Sequence, residues 1–414
     1  MPLDLLPGHD QTVGRPWTDP GRWFASLEAA TADRPAPLAA LGVEALRHNA
    51  AELVRRAAGR PIRIASKSLR VRGVLEAVLA HPGFGGVLCY SLVEAIWLAE
   101  HGLDDLVVGY PSTDATALAR LAGSEELAST ITLMIDSVEH LDFLDAHLPA
   151  VRPRLRLCLE QDMSLDLPGL RVGVWRSPTR TAAQARTLAE QVSKRPGYDL
   201  VGMMAYEAQI AGLADAPDGG ALARGRGGVI RALQRRSARD IYQRRSAAVA
   251  AVRAVADLEF VNGGGTGSME STAADPSVTE IAAGSGLFGP HLFDHYTRFN
   301  VAPAAVFALS VVRRPSPDIA TVHGGGWIAS GPPGHDREPL PVWPPGLRFE
   351  PNEGAGEVQT PLLGASGMDI GDRVWFRHAK AGELAEHVNS MLLVEDGEVV
   401  GELPTYRGEG MCFL

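Results

Sequence analysis

The chain has 414 residues, 45% of them hydrophobic, with a formal net charge of −10 and a pI near 5.7, enough to bury a large core and sized for roughly two to three domains. The acidic balance excludes a dominant nucleic-acid or anionic-membrane surface and leaves small soluble ligands as the expected partners. Cys89, Cys158 and Cys412 are odd in number and far apart, which argues against a disulfide framework or a CxxC metal site and fits a reducing compartment. The opening residues, MPLDLLPGHDQTVGRPWTDP, lack the basic and apolar regions of a secretory signal, and no later run is long enough to span a membrane. A cytoplasmic location is therefore expected.

In chain order, short apolar strands alternate with amphipathic or alanine-rich helical stretches. IRIAS precedes a helix expected at about 69–80; GVLCY precedes LVEAIWLAEHG; DLVVGYP precedes ATALARLAG; ITLMID precedes SVEHLDFLDAHL. RLRLCLEQD, LVGMMAY, LEFVNGGG and EIAAGSGLFG continue the series. About eight such βα repeats predict an α/β fold with a parallel sheet closed into a (β/α)8 barrel, the open doubly wound sheet being the runner-up. The stretch 222–246 holds the strongest basic cluster. Val229, Ile230, Leu233, Ala238 and Ile241 are spaced as one helical face with the arginines opposite, the pattern of a solvated outer barrel helix.

Near residue 297 the pattern changes to valine-rich strands and turn clusters, with the hairpin cue EDGEV late in the chain. The expected organisation is an amino-terminal segment, 1–34, packing with a β-domain; a cofactor-binding barrel, 35–296; and the appended β-domain itself, 297–414.

Lys67, at the carboxyl end of IRIAS, stands where active sites of (β/α)8 barrels are built. Burial and nearby positive charge, supplied by Arg63 and Arg70, would favour a neutral amine able to act as a Schiff-base nucleophile. A lysine snorkelling at a strand end is the bland alternative. In FVNGGGTGS, 260–268, consecutive glycines let backbone amides surround a phosphate, with the Thr266 or Ser268 hydroxyl added. Gly284, Ser285 and Gly286 offer a second such turn. Late barrel loops are the usual phosphate holders of this fold. An early strand-end lysine with two late phosphate turns points to an aldehyde-bearing phosphate cofactor, pyridoxal 5′-phosphate.

These segments, with GVLCYSLVEAIWLAEHGLDDLVVGYP, GMMAYEAQIAG and TEIAAGSGLFGPHLFDHY, resemble in order the D-threonine aldolase and D-serine dehydratase relatives among the alanine racemase-like, fold type III pyridoxal phosphate enzymes. The resemblance covers most of 35–410. It implies that Lys67 carries the cofactor, that Gly264, Gly265, Thr266, Gly284 and Ser285 hold its phosphate, that Arg171 in LRVGVWR meets its ring or phenolic oxygen, and that Tyr206 in AYEAQ is the active-site tyrosine. It further implies a homodimer.

This chain also departs from the family. Ala65 and Leu69 stand where the family has histidines, and Arg70 replaces a second lysine. The family's metal-binding histidine, followed two residues later by cysteine or aspartate, has its counterpart in His378-Ala379-Lys380, and a protonated lysine opposes a cation. His378 is then expected to act as a base without metal, a divalent metal on His378 with help from Glu383 or Glu386 being the alternative. Gln359 replaces another family histidine. His323 is a turn histidine that either faces the cofactor or has no catalytic task, and Cys89 reads as a small buried residue.

The implied activity is that of a lyase on a β-hydroxy-D-amino acid. Either a base takes the hydroxyl proton and Cα–Cβ cleaves to glycine and an aldehyde, or the α-proton and hydroxyl leave to give a 2-oxo acid and ammonia. An amino-acid racemase, with Tyr406 as a second proton-transfer residue from a partner subunit, a non-catalytic pyridoxal phosphate carrier and a phosphosugar lyase are the competing readings.

Overall fold

The computed structural model describes residues 3–6, 14–216, 220–332, 334–380 and 382–414. Parts of the expected amino-terminal segment, residues 1–2 and 7–13, and Ala381 of the AGELAEHVN stretch lie outside them. The chain forms two compact units interleaved along its length: 54–66, 82–284 and 413–414 in one, and 1–53, 67–81 and 285–412 in the other.

The first unit is a closed barrel of eight parallel strands: β1 (Ile62–Ala65), β2 (Phe84–Cys89), β3 (Leu106–Val108), β4 (Ile131–Ile135), β5 (Leu155–Glu160), β6 (Tyr198–Met204), β7 (Phe260–Gly263) and β8 (Glu280–Ala283). These are the eight apolar runs read from the sequence. Each strand pairs with its chain neighbour, and β8 returns to β1 through Ile281 opposite Ile62. Leu88, Val107, Met134, Cys158, Met204 and Phe260 fill the interior. Gly202 makes room for Phe260, because a Cβ there would stand 2.1 Å from the ring. Side chains two residues beyond these interior positions point inward at the carboxyl rim, by the period of a strand.

Arg63 lies within this unit, bonded to Glu280 at 2.7 Å and to Asp105 at 2.9 Å, acids at or just before the starts of β8 and β3. Its charge is neutralised there, contrary to the expectation that it would act on Lys67. The long helix Ala221–Arg253 also differs from its sequence reading. Val229 is 70% exposed, and the buried stripe runs through Gln234, Ser237, Ile241, Arg245, Ala248 and Val252. Arg245 is turned inward because two buried carboxylates, Glu207 and Asp275, meet it at 2.9 Å each. Ile241 and Ala238 pack inward as the periodicity expects, but counting only apolar residues includes exposed Val229 and misses Gln234, Ser237 and Arg245.

The second unit is built on a nine-stranded sheet. Its strand Ala305–Ser316 pairs antiparallel with Arg373–Arg377 and with Leu38–Gly42, and the latter runs parallel to Ser390–Glu395. Leu38–Gly42, which chain order puts at the start of the barrel region, is buried along its whole length in this sheet. Phe307 stacks on Trp327 and Phe376 at centroid distances of 4.1 and 5.1 Å. The helix Pro20–Ala30 joins the same unit: Glu28 accepts from Arg373 at 2.9 Å and from the Trp375 indole at 2.6 Å. The EDGEV cue closes the hairpin Ser390–Glu395/Glu398–Pro404, with Asp396 at φ +50° and Gly397 at φ +77°, both left-handed as a tight Asp-Gly turn requires. No helix among the described residues is long and apolar enough to cross a membrane.

Candidate active site

Lys67 follows the end of β1 by two residues, and its side chain is exposed. Its turn is held from several sides. The Lys67 carbonyl accepts from Arg70 Nε at 3.1 Å, Arg70 pairs with Glu386 at 2.6 Å, and the Arg70 carbonyl accepts the Tyr406 amide at 2.8 Å. Arg70 has φ +55°, so the following helix begins only at Arg72 rather than near 69. Gly382 packs so closely that a Cβ on it would stand 2.0 Å from the Lys67 carbonyl oxygen. The positive charge expected from Arg70 is thus also paired. Tyr406 is 1% exposed, and a phenol buried in its own chain does not reach into a partner's site as the racemase reading would require.

The loop that ends in Gly382 begins at His378, which is 1% exposed. Its Nδ1 lies 3.1 Å from the Ala305 carbonyl. Only a protonated nitrogen can bond a carbonyl, so Nε2 carries the lone pair in the neutral ring, and that atom is buried without a partner. Burial, above all, pushes the imidazole down to about 4. Lys380 donates to the Ser330 carbonyl at 3.2 Å, and Glu383 accepts the amides of Ala379 and Lys380 at 3.1 and 2.9 Å. Glu383 is engaged in fixing the loop and Glu386 in holding Arg70. Among the described residues no cluster of three His, Cys, Asp or Glu could hold a metal, and the donor set around His378 does not fit one. His323 is exposed and pairs in register with Gln359, in neighbouring strands of the sheet.

In the barrel unit, the turn after β7 is shaped for close approach. Gly264 has φ +91°, and a Cβ on Gly265 would stand 3.1 Å from Ala211 and 3.5 Å from the Tyr206 ring. The Gly264 amide donates to Glu207 at 2.8 Å, so that N–H is not one a phosphate would receive. Arg56 clamps the turn through the Thr266 carbonyl and Glu270, at 2.6 Å each. After β8, Gly284 leads into the one-turn helix Ser285–Phe288. Because β7, β8 and β1 are consecutive around the barrel, these turns leave from neighbouring strand ends.

Tyr206 follows β6 and lies half-buried; burial pushes its phenol up to about 12 against the opposing charge of Arg176. Arg171 sits in the hairpin Leu165–Val172, bonded to buried Asp162 at 2.9 Å and stacked on Trp175 at 4.1 Å. Two residues escaped the sequence reading. Glu160, the last residue of β5, is 5% exposed and pushed up to about 7, chiefly by burial. Arg176 lies over Tyr110 and Tyr206. Glu160 was findable, since it stands two residues beyond interior Cys158 at a strand end; Arg176 carried no local signal.

A closed barrel of eight parallel strands, with glycine turns after β7 and β8, defines a (β/α)8 protein. Residues 42–291 match the alanine racemase N-terminal domain, and the chain belongs to that family. It is 25% identical over 330 residues to D-threonine aldolase of Arthrobacter sp., covering 77% of this chain and 76% of that protein. The structure is similar to D-threonine aldolase from Filomicrobium marinum, with a TM-score of 0.72 and 20% identity over 91% of this chain and 96% of that one. It is also similar to D-threo-3-hydroxyaspartate dehydratase from Delftia sp. HT23, with a TM-score of 0.68 and 18% identity over 90% and 97%.

Proposed function

We propose that the protein is a pyridoxal 5′-phosphate-dependent lyase acting on β-hydroxy-D-amino acids. The observation that carries this reading is the exposed Lys67 amine immediately after β1, in a barrel whose neighbouring strands β8 and β7 end in glycine turns. At Gly265 the backbone packs directly against Ala211 and the Tyr206 ring, a close approach of the kind that glycine phosphate turns use. The named relatives act on β-hydroxy-D-amino acids, and the D configuration is taken from them.

When bound, the cofactor supplies an electron sink for the substrate α-carbon. Lys67 would hold its aldehyde carbon and, once displaced by the substrate amine, move a proton at the α-carbon. Thr266, Gly284 and Ser285 would hold the phosphate, the Gly264 and Gly265 amides being engaged by Glu207 and Ser268, and Tyr206 flanks that turn. His378, neutral and with its Nε2 lone pair buried without a hydrogen-bond partner, is the candidate for the proton of the β-hydroxyl. No step is routed through a metal.

The same reading takes the working form to be a homodimer in the cytoplasm, which light scattering and fractionation measure. The decisive experiment records the absorbance of purified protein with added cofactor, then supplies D- and L-threonine, serine and 3-hydroxyaspartate. Glycine with an aldehyde, or a 2-oxo acid with ammonia, is the expected product from D-substrates, abolished in His378→Asn with the cofactor band intact. Stereoinversion alone would replace the lyase with a racemase. A visible band without any product would leave a carrier, and no band at all would point to cofactor-free lysine chemistry.

A further inference from the structure

The segment that follows β5 carries three nearby arginines, and the fold treats them differently. Arg171 is bonded to Asp162 at 2.9 Å, and Arg180 lies 2.8 Å from the Asp166 carboxylate. Among the described residues Arg176 has neither a hydrogen bond nor an ion pair. Its guanidinium carbon stands instead 5.8 Å from the centre of the Tyr110 ring and 5.7 Å from that of Tyr206. These tyrosines follow β3 and β6, the strands that flank β4 and β5, so the exposed Arg176 is held at the barrel rim by aromatic faces and not by a counter-ion. A cation over a ring is positioned without being neutralised, and its fork of donors stays available.

The acid beside it does not cancel that charge. Glu160 points inward by strand alternation from Cys158 and is 5% exposed; its carbonyl accepts the Ser177 hydroxyl at 2.9 Å, while its carboxyl accepts no hydrogen bond among the described residues. Asp136, Asp162 and His140 are the other charged groups that act on it, and burial keeps a large share of the carboxyl protonated near neutrality. The rim therefore keeps an uncompensated guanidinium beside a carboxyl that is only partly ionised.

We propose that Arg176 is the receptor for a carboxylate of the amino-acid substrate, an inference that rests on the lyase reading above. A guanidinium receives a carboxylate through two parallel hydrogen bonds. The cofactor phosphate would have a separate holder in the turn after β7, where a Cβ on Gly265 would stand 3.5 Å from the Tyr206 ring. The carboxylate is either the α-carboxylate or one carried on the β-substituent.

The test compares the cofactor-loaded wild type with Arg176→Gln and Arg176→Lys. Steady-state kinetics with D-threonine and D-3-hydroxyaspartate run beside calorimetric titration with malonate and an absorbance titration of the cofactor. Arg176→Gln should raise KM by about tenfold or more, with a smaller change in kcat, and weaken malonate binding to match. Arg176→Lys should restore part of both, and cofactor affinity should hold in both variants. A KM rise with both substrates assigns the α-carboxylate; a rise with D-3-hydroxyaspartate alone assigns the distal one. Unchanged KM and malonate affinity in Arg176→Gln overturns the proposal, as does weakened cofactor binding with malonate binding intact. If no substrate turns over yet malonate binding still depends on Arg176, the lyase reading fails and the carboxylate site stands.

Discussion

Arg245, from the long outer helix, and Glu207, from the turn after β6, are joined at 2.9 Å with side chains 0% and 2% exposed. Glu207 also accepts the Gly264 amide at 2.8 Å and the Thr272 hydroxyl, and Arg245 reaches Asp275 at 2.9 Å. One buried ion network thus ties the helix to the turn expected to hold phosphate. Arg245→Leu strands two carboxylates in a dry interior, and we expect a loss of roughly 3–5 kcal/mol. Urea denaturation measures it, and an unchanged midpoint would contradict the account. Cofactor affinity should fall as well, because the turn loses the carboxylate that fixes Gly264.

The two glycines of that turn should respond differently to alanine. Gly264 has φ +91°, and a Cβ would stand 2.8 Å from Ile281, so Gly264→Ala should cost about 1–3 kcal/mol in strain. At Gly265 the nearest atom to a Cβ is Ala211 at 3.1 Å. Gly265→Ala should fold nearly as well while binding the cofactor more weakly. Melting curves beside absorbance titrations separate the two, and equal melting temperatures in both variants would count against the strain.

Lys67 should be chemically essential and structurally dispensable. Its side chain is exposed, so Lys67→Ala should alter stability by no more than about 0.5 kcal/mol. Borohydride reduction of loaded protein followed by peptide mass mapping should label Lys67 in the wild type and nothing in the variant. Labelling elsewhere would move the cofactor to another lysine.

Glu160 sets a pH dependence whose sign is fixed by its burial. Its carboxyl is pushed from an ordinary 4.5 up to about 7, so the folded state binds the proton more tightly than the unfolded chain. Stability from this group is complete below pH 4.5, declines as pH rises toward 7, and is flat above; the gap between 4.5 and 7 corresponds to roughly 3 kcal/mol. Glu160→Gln cannot titrate. Its melting temperature should match the wild type near pH 4.5 and exceed it at pH 8. A constant offset across that range would show that Glu160 is not the titrating group.

Much of this architecture is local. Each barrel strand is a short apolar run bounded by turn residues, and the Asp396-Gly397 hairpin and the glycine turns declare themselves because a left-handed φ or a close backbone approach restricts residue choice at once. Lys67 was locatable for the same reason, as a lysine just past a strand end. Partner choice is a different matter. That Leu38–Gly42 joins the second sheet, that Arg63 is neutralised by Glu280 and Asp105, that Arg245 turns inward, and that Arg176 rests on two tyrosines from different strands all depend on which distant residues the closed fold brings together. Backbone preference acts within a few residues and is written in the chain; pairing of charges and rings acts through space, so only the folded arrangement decided that Arg63 and Arg245 meet buried acids while Arg176 meets aromatic rings.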